Sequence, residues 1–281
     1  HTSGTTNSDP SALKWFHMSD YLIRHLWAPG MQAIFESSGL SNKNSAVIFV
    51  PSRMNIDGLN ELNNKEYLSL YSAEFSQRIM LSAINPKSYL FYEYKNSSTL
   101  KTISEILQLE DIAIISAPSA TILKWADLNK LKQSLKIASD TSMNLEDNPQ
   151  LNKLLKLMKK ESLTEAALKI RKMLSEALCN SNLIFSISSL SEPQWNLIRE
   201  FMQWKKGDER FTNLYVCSEI GPFASSLPHG DYTISKQNKM YILPLTIPAL
   251  LYREQIELIP QGKNKVGKLM VSRLNSDGLA P

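Results

Sequence analysis

An α/β fold is what this 281-residue sequence predicts: a mostly parallel sheet, a helical insertion and a C-terminal antiparallel β region. Three observations carry that expectation. Short apolar runs at 46–50, 112–116 and 183–187 alternate with stretches of helical periodicity, as strands buried on both faces between crossover helices do. From Ser119 to Ala177, Leu, Lys and Glu dominate and no strand-like run intervenes. From Asp231 onward, short strand-like segments are separated by Gly-rich turns such as Gln261-Gly-Lys-Asn, the pattern of hairpins or a small barrel.

The elements follow in order. Leu13, Phe16, Leu22, Ile23, Leu26 and Trp27 recur at helical spacing, so Ser11 to Phe35 reads as a helix, broken at Pro29-Gly30. Ser8, Asp9 and Ser11 are candidate caps, with Pro10 suited to the first turn. Ala46 to Val50 reads as a buried strand closed by Pro51, Tyr67 to Ile84 as an amphipathic helix, and Ser88 to Tyr94 as a short aromatic strand. Leu100 to Leu107 is helical, and Ile112 to Ser116 is a second buried strand ended by Ala117-Pro118-Ser119. The Leu/Lys/Glu region forms amphipathic helices joined through the polar 140–149 loop. Leu183 to Ile187 is a third buried strand, Pro193 to Trp204 a helix, and Phe211 to Glu219 a fourth strand that ends in a carboxylate. Further strands are expected at Tyr232 to Ile234, Lys239 to Leu243, Gln255 to Ile259 and Lys268 to Val271.

Composition narrows the function classes. Hydrophobic residues make up 43% and charged residues 21%, which suits a globular protein with a substantial core. The net charge of +4 is too small to argue for nucleic acid. No run of about 18 apolar residues is present to span a membrane. Cys179 and Cys217 are the two cysteines and form no Cys-x-x-Cys, which fits a reducing cytoplasm rather than a disulfide framework or a zinc site. His1, His17, His25 and His229 are scattered without carboxylates or thiolates at metal-ligand spacing, so surface or packing roles suit them better than ligation. The Lys-rich stretch Lys153 to Lys160 reads first as a solvated helix face. Its alternative is a surface for a protein partner, with Glu161, Glu165 and Glu176 interrupting the basic side.

Three segments carry chemistry. His1 to Pro10 holds one glycine among small hydroxyl residues, a composition whose backbone N–H and side-chain O–H groups can surround an anion. A helix running straight out of such a loop adds its dipole. The segment is not a Walker A loop, because no Gly-Lys-Ser/Thr follows, and polar chain ends of similar composition are often structureless. The second segment is Tyr215-Val-Cys-Ser-Glu219 at the end of a strand. The third is Val266-Gly-Lys-Leu-Met-Val-Ser272 within late β structure.

In that order, these segments resemble the adenylate-forming superfamily, with its Ser-Gly-Thr-Thr-Gly loop, Tyr-Gly-x-Thr-Glu segment and Gly-Glu-Leu strand. The nearest branch is the phenylacetate–CoA ligases and the acyl-protein synthetases of bacterial luminescence. Ala117-Pro-Ser119 and the polar turn Ser188 to Ser191 before Pro193-Gln-Trp195 fit the same pattern. The resemblance implies an adenylate-forming large-domain core with ATP and Mg²⁺ as cofactors. Thr2, Ser3, Gly4, Thr5 and Thr6 would hold the β- and γ-phosphates. Tyr215 would lie against adenine, Ser218 near the α-phosphate, and Glu219 would hold Mg²⁺. Ser218 and Glu219 are then the catalytic pair. The implied reaction activates a carboxylic acid as an acyl-adenylate for transfer to a thiol of CoA, a carrier protein or a protein cysteine.

The departures are specific. Asn7-Ser-Asp-Pro10 replaces the family's Gly-x-Pro-Lys, Val216 stands at the glycine of the second motif, and Gly267-Lys-Leu269 replaces Gly-Glu-Leu. Ser186-Ile187 corresponds to the adenine-side Gly-Gly stretch. They favour an alternative in which the fold is catalytically degenerate and serves as a binding or scaffold subunit. A third reading is an unrelated α/β protein whose helical insertion binds a partner. The resemblance also implies that the ribose-binding Asp and the small lid domain lie beyond Pro281, Asp277 being a turn residue. The expected division is then 1–118 for the nucleotide-loop part, 119–180 for the helical insertion, 181–230 for the part with the metal and adenine motif, and 231–281 for the β-rich subdomain.

Overall fold

The computed structural model describes residues 20–50, 72–93, 99–140, 148–186, 190–217, 221–226, 240–243, 246–252, 255–258 and 266–273. Its framework is a seven-stranded sheet in the order β2-β1-β3-β4-β5-β6-β7. The strands are β1 (Ser45–Val50), β2 (Ser88–Glu93), β3 (Ile112–Ser116), β4 (Asn182–Ser186), β5 (Phe211–Cys217), β6 (Gly221–Ser225) and β7 (Tyr241–Ile242). The first five run parallel, while β5–β6 and β6–β7 are antiparallel. A separate antiparallel sheet has the order β10-β8-β9, with β8 (Thr246–Tyr252), β9 (Gln255–Leu258) and β10 (Lys268–Arg273). The α/β expectation holds. Among the described residues the C-terminal strands form an open three-stranded sheet, not a barrel, and β7 joins the main sheet instead.

Helices cover both faces of the parallel strands. On one face lie α1, made of Asp20–Leu22, a π turn Ile23–Trp27 and Ala28–Ser37, and α2 (Ser72–Ile84). They pack Met31, Ile34, Phe35, Met80 and Leu81 onto Ala46, Ile48, Ile114 and Ile184. The other face carries α3 (Thr99–Ile106), α4 (Ser119–Ala126), α5 (Leu128–Asp140), α6 (Pro149–Lys160), α7 (Leu163–Leu178) and α8 (Glu192–Phe201). Its core takes in Val47, Phe49, Ile115, Leu183 and Phe185 from the strands. Phe211 is fully buried between Phe185, 5.6 Å away and stacked, and Trp195, 4.6 Å away and edge-on. Burial of one such side chain contributes about 1.5–3 kcal/mol. A register shift between Ser45 and Ala46, where β1 meets β3, sends Ile112 and Ile114 to opposite faces.

The expected break at Pro29-Gly30 does not occur. The chain passes through the π turn, in which the Ala28 N–H reaches the Ile23 carbonyl, and Pro29 sits in the first turn of the following segment. There its missing N–H costs little. The helix after β4 ends at Phe201 rather than Trp204, because Gln203 has φ of 55°, a value that right-handed helix cannot contain. Residues 11–19, 67–71, Tyr94, Ile187 and 232–234 of the expected elements lie outside the described residues.

The lysine-rich helices are part of the main core. Leu151 and Leu154 of α6 are buried in it, whereas Lys153, Lys156, Lys159 and Lys160 face solvent. Asn148 fixes the start of α6, its Oδ1 accepting from the Leu151 N–H at 2.9 Å and from Gln108 Nε2 at 2.6 Å, while its Nδ2 donates to Ser104 Oγ at 3.2 Å. One side chain thus caps α6 and ties it to α3. Asn148→Ala is expected to cost about 1–2 kcal/mol, read as a lower urea midpoint with an unchanged m-value. At α7, Ser162 and Glu165 form a reciprocal capping box. The Ser162 hydroxyl and N–H hold the Glu165 carboxyl below its ordinary pKa. The contribution of that carboxylate is therefore complete above the ordinary value and fades as pH falls through the lowered one.

Candidate functional site at the carboxyl edge of the parallel sheet

In open α/β sheets, ligands bind outside the carboxyl ends of the strands, where the strand order reverses. Here the order reverses between β1 and β3. The edge is formed by Val50, Ser116-Ala117, Ser186 and Cys217. Ala117 extends the ladder past β3 by donating its N–H to the Ile184 carbonyl at 3.0 Å, and Pro118 then opens α4. The Pro fits because it needs no hydrogen bond at a helix start.

Tyr215 is the sequence-predicted site residue that the structure describes. It lies near the end of β5, half exposed, with its ring 4.5 Å from that of Phe223. It pairs with Ala224 across β6, and the register shifts between Tyr215 and Val216. Val216 packs partly buried against the cluster beneath α1 and α2, so its side chain is committed to the core. Thr2, Ser3, Gly4, Thr5, Thr6, Ser218 and Glu219 lie outside the described residues. The flanks of Ser218-Glu219-Ile220 are described: Cys217 and Gly221 face each other as antiparallel partners. In the third motif, Gly267 precedes β10, and a Cβ there would meet the Leu251 carbonyl at 2.9 Å, which explains the glycine.

Two side chains near the helices that follow β2 and β3 escaped the sequence reading. Lys124 in α4 donates from Nζ to Thr99 Oγ1, at the start of α3, at 3.0 Å. Burial lowers its pKa from the ordinary lysine value. It is the lone charge in Ser-Ala-Thr-Ile-Leu-Lys-Trp-Ala, which was the available signal. Tyr92 near the end of β2 donates its hydroxyl to Glu105 Oε2 at 2.5 Å. Burial, then the Glu105 carboxylate, push its pKa far up, so it stays a donor. Among the described residues, no grouping of His, Cys, Asp and Glu is arranged to hold a metal. None of their helices is long and apolar enough to cross a membrane.

No protein-family model matches the chain, and no curated protein matches it. Solved structures similar to it include a variant of an amide bond synthetase from Marinactinospora thermotolerans, at 12% identity and a TM-score of 0.41 over 89% of this chain. Another is the luciferase-like enzyme from the nonluminescent Zophobas morio mealworm, at 12% identity and a TM-score of 0.28 over 92% of this chain. The matches cover 44% of the synthetase and 79% of the luciferase-like enzyme, so this chain spans less than half the length of the first. Likeness at that level does not bear on the chemistry of this chain.

Proposed function

We propose that this chain is the core of an enzyme that activates a carboxylic acid with ATP and passes the acyl group to a thiol. The observation that carries the reading is the position of the second motif. Tyr215-Val-Cys217 closes the last parallel strand at the edge where such sheets take ligands, and Ser218-Glu219 come next in the sequence. The half-exposed Tyr215 ring fits a flat heteroaromatic base. In this reading Thr2, Ser3, Gly4, Thr5 and Thr6 surround the β- and γ-phosphates. Ser218 orients the α-phosphate, and Glu219 supplies the carboxylate that a hard cation prefers. Mg²⁺, when bound, neutralises charge on the phosphates. The substrate carboxylate attacks the α-phosphorus, the bond to the bridging oxygen breaks, and pyrophosphate leaves with that electron pair. Attack of a thiolate on the acyl carbon then releases AMP. The contribution of the protein is positioning and charge stabilisation.

Calorimetric titration with ATP, with and without Mg²⁺, tests the reading on this chain and on the longest native form that contains it. Mg²⁺-dependent binding by the native form is expected, followed by carboxylate-dependent pyrophosphate exchange. Tyr215→Ala should weaken ATP binding about tenfold while leaving the fold intact, since base–aromatic stacking is worth about 1–3 kcal/mol. A folded native form that binds no ATP would instead support a degenerate, scaffolding subunit, to which Asn7-Ser-Asp-Pro10 and its missing lysine already point.

A further inference from the structure

We propose that β2, at one end of the seven-stranded sheet, is a self-association edge, on which a second copy of this chain adds its own β2 antiparallel about a twofold axis at Leu90. Among the described residues β1 is the single strand neighbour of β2. A strand with one neighbour turns every second backbone N–H and C=O outward, where another chain can pair with them. The opposite end of the sheet, β7, has two residues, and an edge that short offers little to pair with. The proposal does not depend on the adenylation reading.

β2 lacks the features that blunt an edge. Ser88-Tyr-Leu-Phe-Tyr-Glu93 contains no Pro, Lys or Arg, and its six residues pair with β1 without a register shift. β1, enclosed between two strands, is buried at every residue. In β2, by contrast, Ser88, Leu90, Phe91 and Tyr92 are half-buried and Tyr89 is 47% exposed. Leu90 and Tyr92 pack into the core on the α3 side, and Phe91 into the core on the α2 side. There the Arg78 guanidinium lies 4.6 Å from the Phe91 ring centroid. Alternation along the strand puts Tyr89 on the same face as Phe91.

The register follows from backbone and charge. Outward groups all come from residues of one parity, so a twofold antiparallel pairing sets odd positions opposite odd and even opposite even. Centred on Leu90, Tyr89 lies opposite Phe91 of the second copy, Ser88 opposite Tyr92, and Lys87 opposite Glu93, each twice. Aromatic and opposite-charge pairs are those that stabilise neighbouring antiparallel strands. Lys87 is exposed and meets Glu110 of its own chain at 2.8 Å, which leaves two ammonium hydrogens for a further acceptor. Centred on Tyr89, Lys87 would instead face Phe91, and centred on Phe91, Tyr89 would face Glu93. Of these three registers, the one centred on Leu90 sets charge against charge. A pairing of six residues is a small interface, so the dimer is concentration-dependent.

Sedimentation equilibrium of this chain, and of the longest native form that contains it, tests the edge. A reversible dimer is expected from both. Tyr89→Lys, which places a charge on the edge as natural edge strands do, should raise the dissociation constant about tenfold or more and leave the far-UV spectrum unchanged. Oxidised Leu90→Cys should link position 90 of one copy to position 90 of the other, read by peptide mass, because directly opposed residues lie within disulfide reach. Tyr89→Cys should not link to itself, since Phe91 is its opposite. A chain still monomeric at about 1 mM overturns the proposal, as does a dimer that Tyr89→Lys leaves equally tight. A native form that stays monomeric while this chain dimerises also overturns it, since another segment of the longer protein then occupies β2. A Tyr89-sensitive dimer that forms no 90-to-90 link overturns the register.

Discussion

Gly221→Ala should be among the most damaging single substitutions in this chain, costing about 2–5 kcal/mol. Gly221 opens β6 with φ of 75°, and a Cβ there would lie 2.7 Å from Cδ2 and 2.8 Å from Cγ of Trp27. The left-handed backbone alone costs an alanine about 1–2 kcal/mol. Overpacking adds about 1–3 kcal/mol, because Trp27 is 2% exposed and held by the π turn of α1. Urea unfolding reads the loss. Trp27→Leu separates the two causes: it relieves the overlap but not the backbone strain, so the double variant should be less destabilised than the sum of the singles. A change within about 0.5 kcal/mol of wild type would mean that Gly221 does not approach the indole. Under the adenylation reading proposed above, ATP binding should fall with stability, since Ser218 and Glu219 stand just before Ile220-Gly221 in the sequence.

The same junction shows what the sequence made legible. The runs at 46–50, 112–116 and 183–187 were readable because central parallel strands are apolar on both faces. β6, Gly-Pro-Phe-Ala-Ser, and β8, Thr-Ile-Pro-Ala-Leu-Leu-Tyr, were not, because an interior proline argues against a strand. Both prolines are tolerated for one reason: among the described residues, the second neighbour stops short. Pro222 pairs with Val216 of β5, but β7 reaches only Ala224 and Ser225. Pro248 pairs with Val271 of β10, while β9 begins opposite Tyr252 and ends at Leu258, opposite Ala249. Which strands end early is a tertiary fact, invisible in a local window. For the candidate site, Tyr215 could be found from its motif. Lys124 and Tyr92 carried no motif, since their partners Thr99 and Glu105 stand on another element.

A second large effect is expected where the loop before β5 is anchored. Arg199→Met should destabilise the protein by about 3–5 kcal/mol. Arg199 Nε donates to Glu209 Oε1 at 2.7 Å, and the side chain of Glu209 has no solvent exposure. The other carboxylate oxygen of Glu209 accepts from the Gly207 N–H at 2.8 Å, which pins the turn in which Gly207 has φ of 91°. Removing the guanidinium leaves a buried carboxylate with one backbone donor, and that uncompensated charge is the source of the cost. Glu209→Gln should cost less, because its oxygen still accepts and Arg199 is 21% exposed and can hydrate. The combined Arg199→Met and Glu209→Gln variant should therefore be more stable than Arg199→Met alone. If it is less stable, the guanidinium acts instead through its bond to Asn196 and its position 6.0 Å from the Trp195 ring centroid. Arg210 directly follows Glu209, and its carbonyl accepts the Leu183 N–H at the start of β4. Loss of the anchor should thus also loosen the start of β4, and hydrogen exchange at the Leu183 amide should quicken in Arg199→Met.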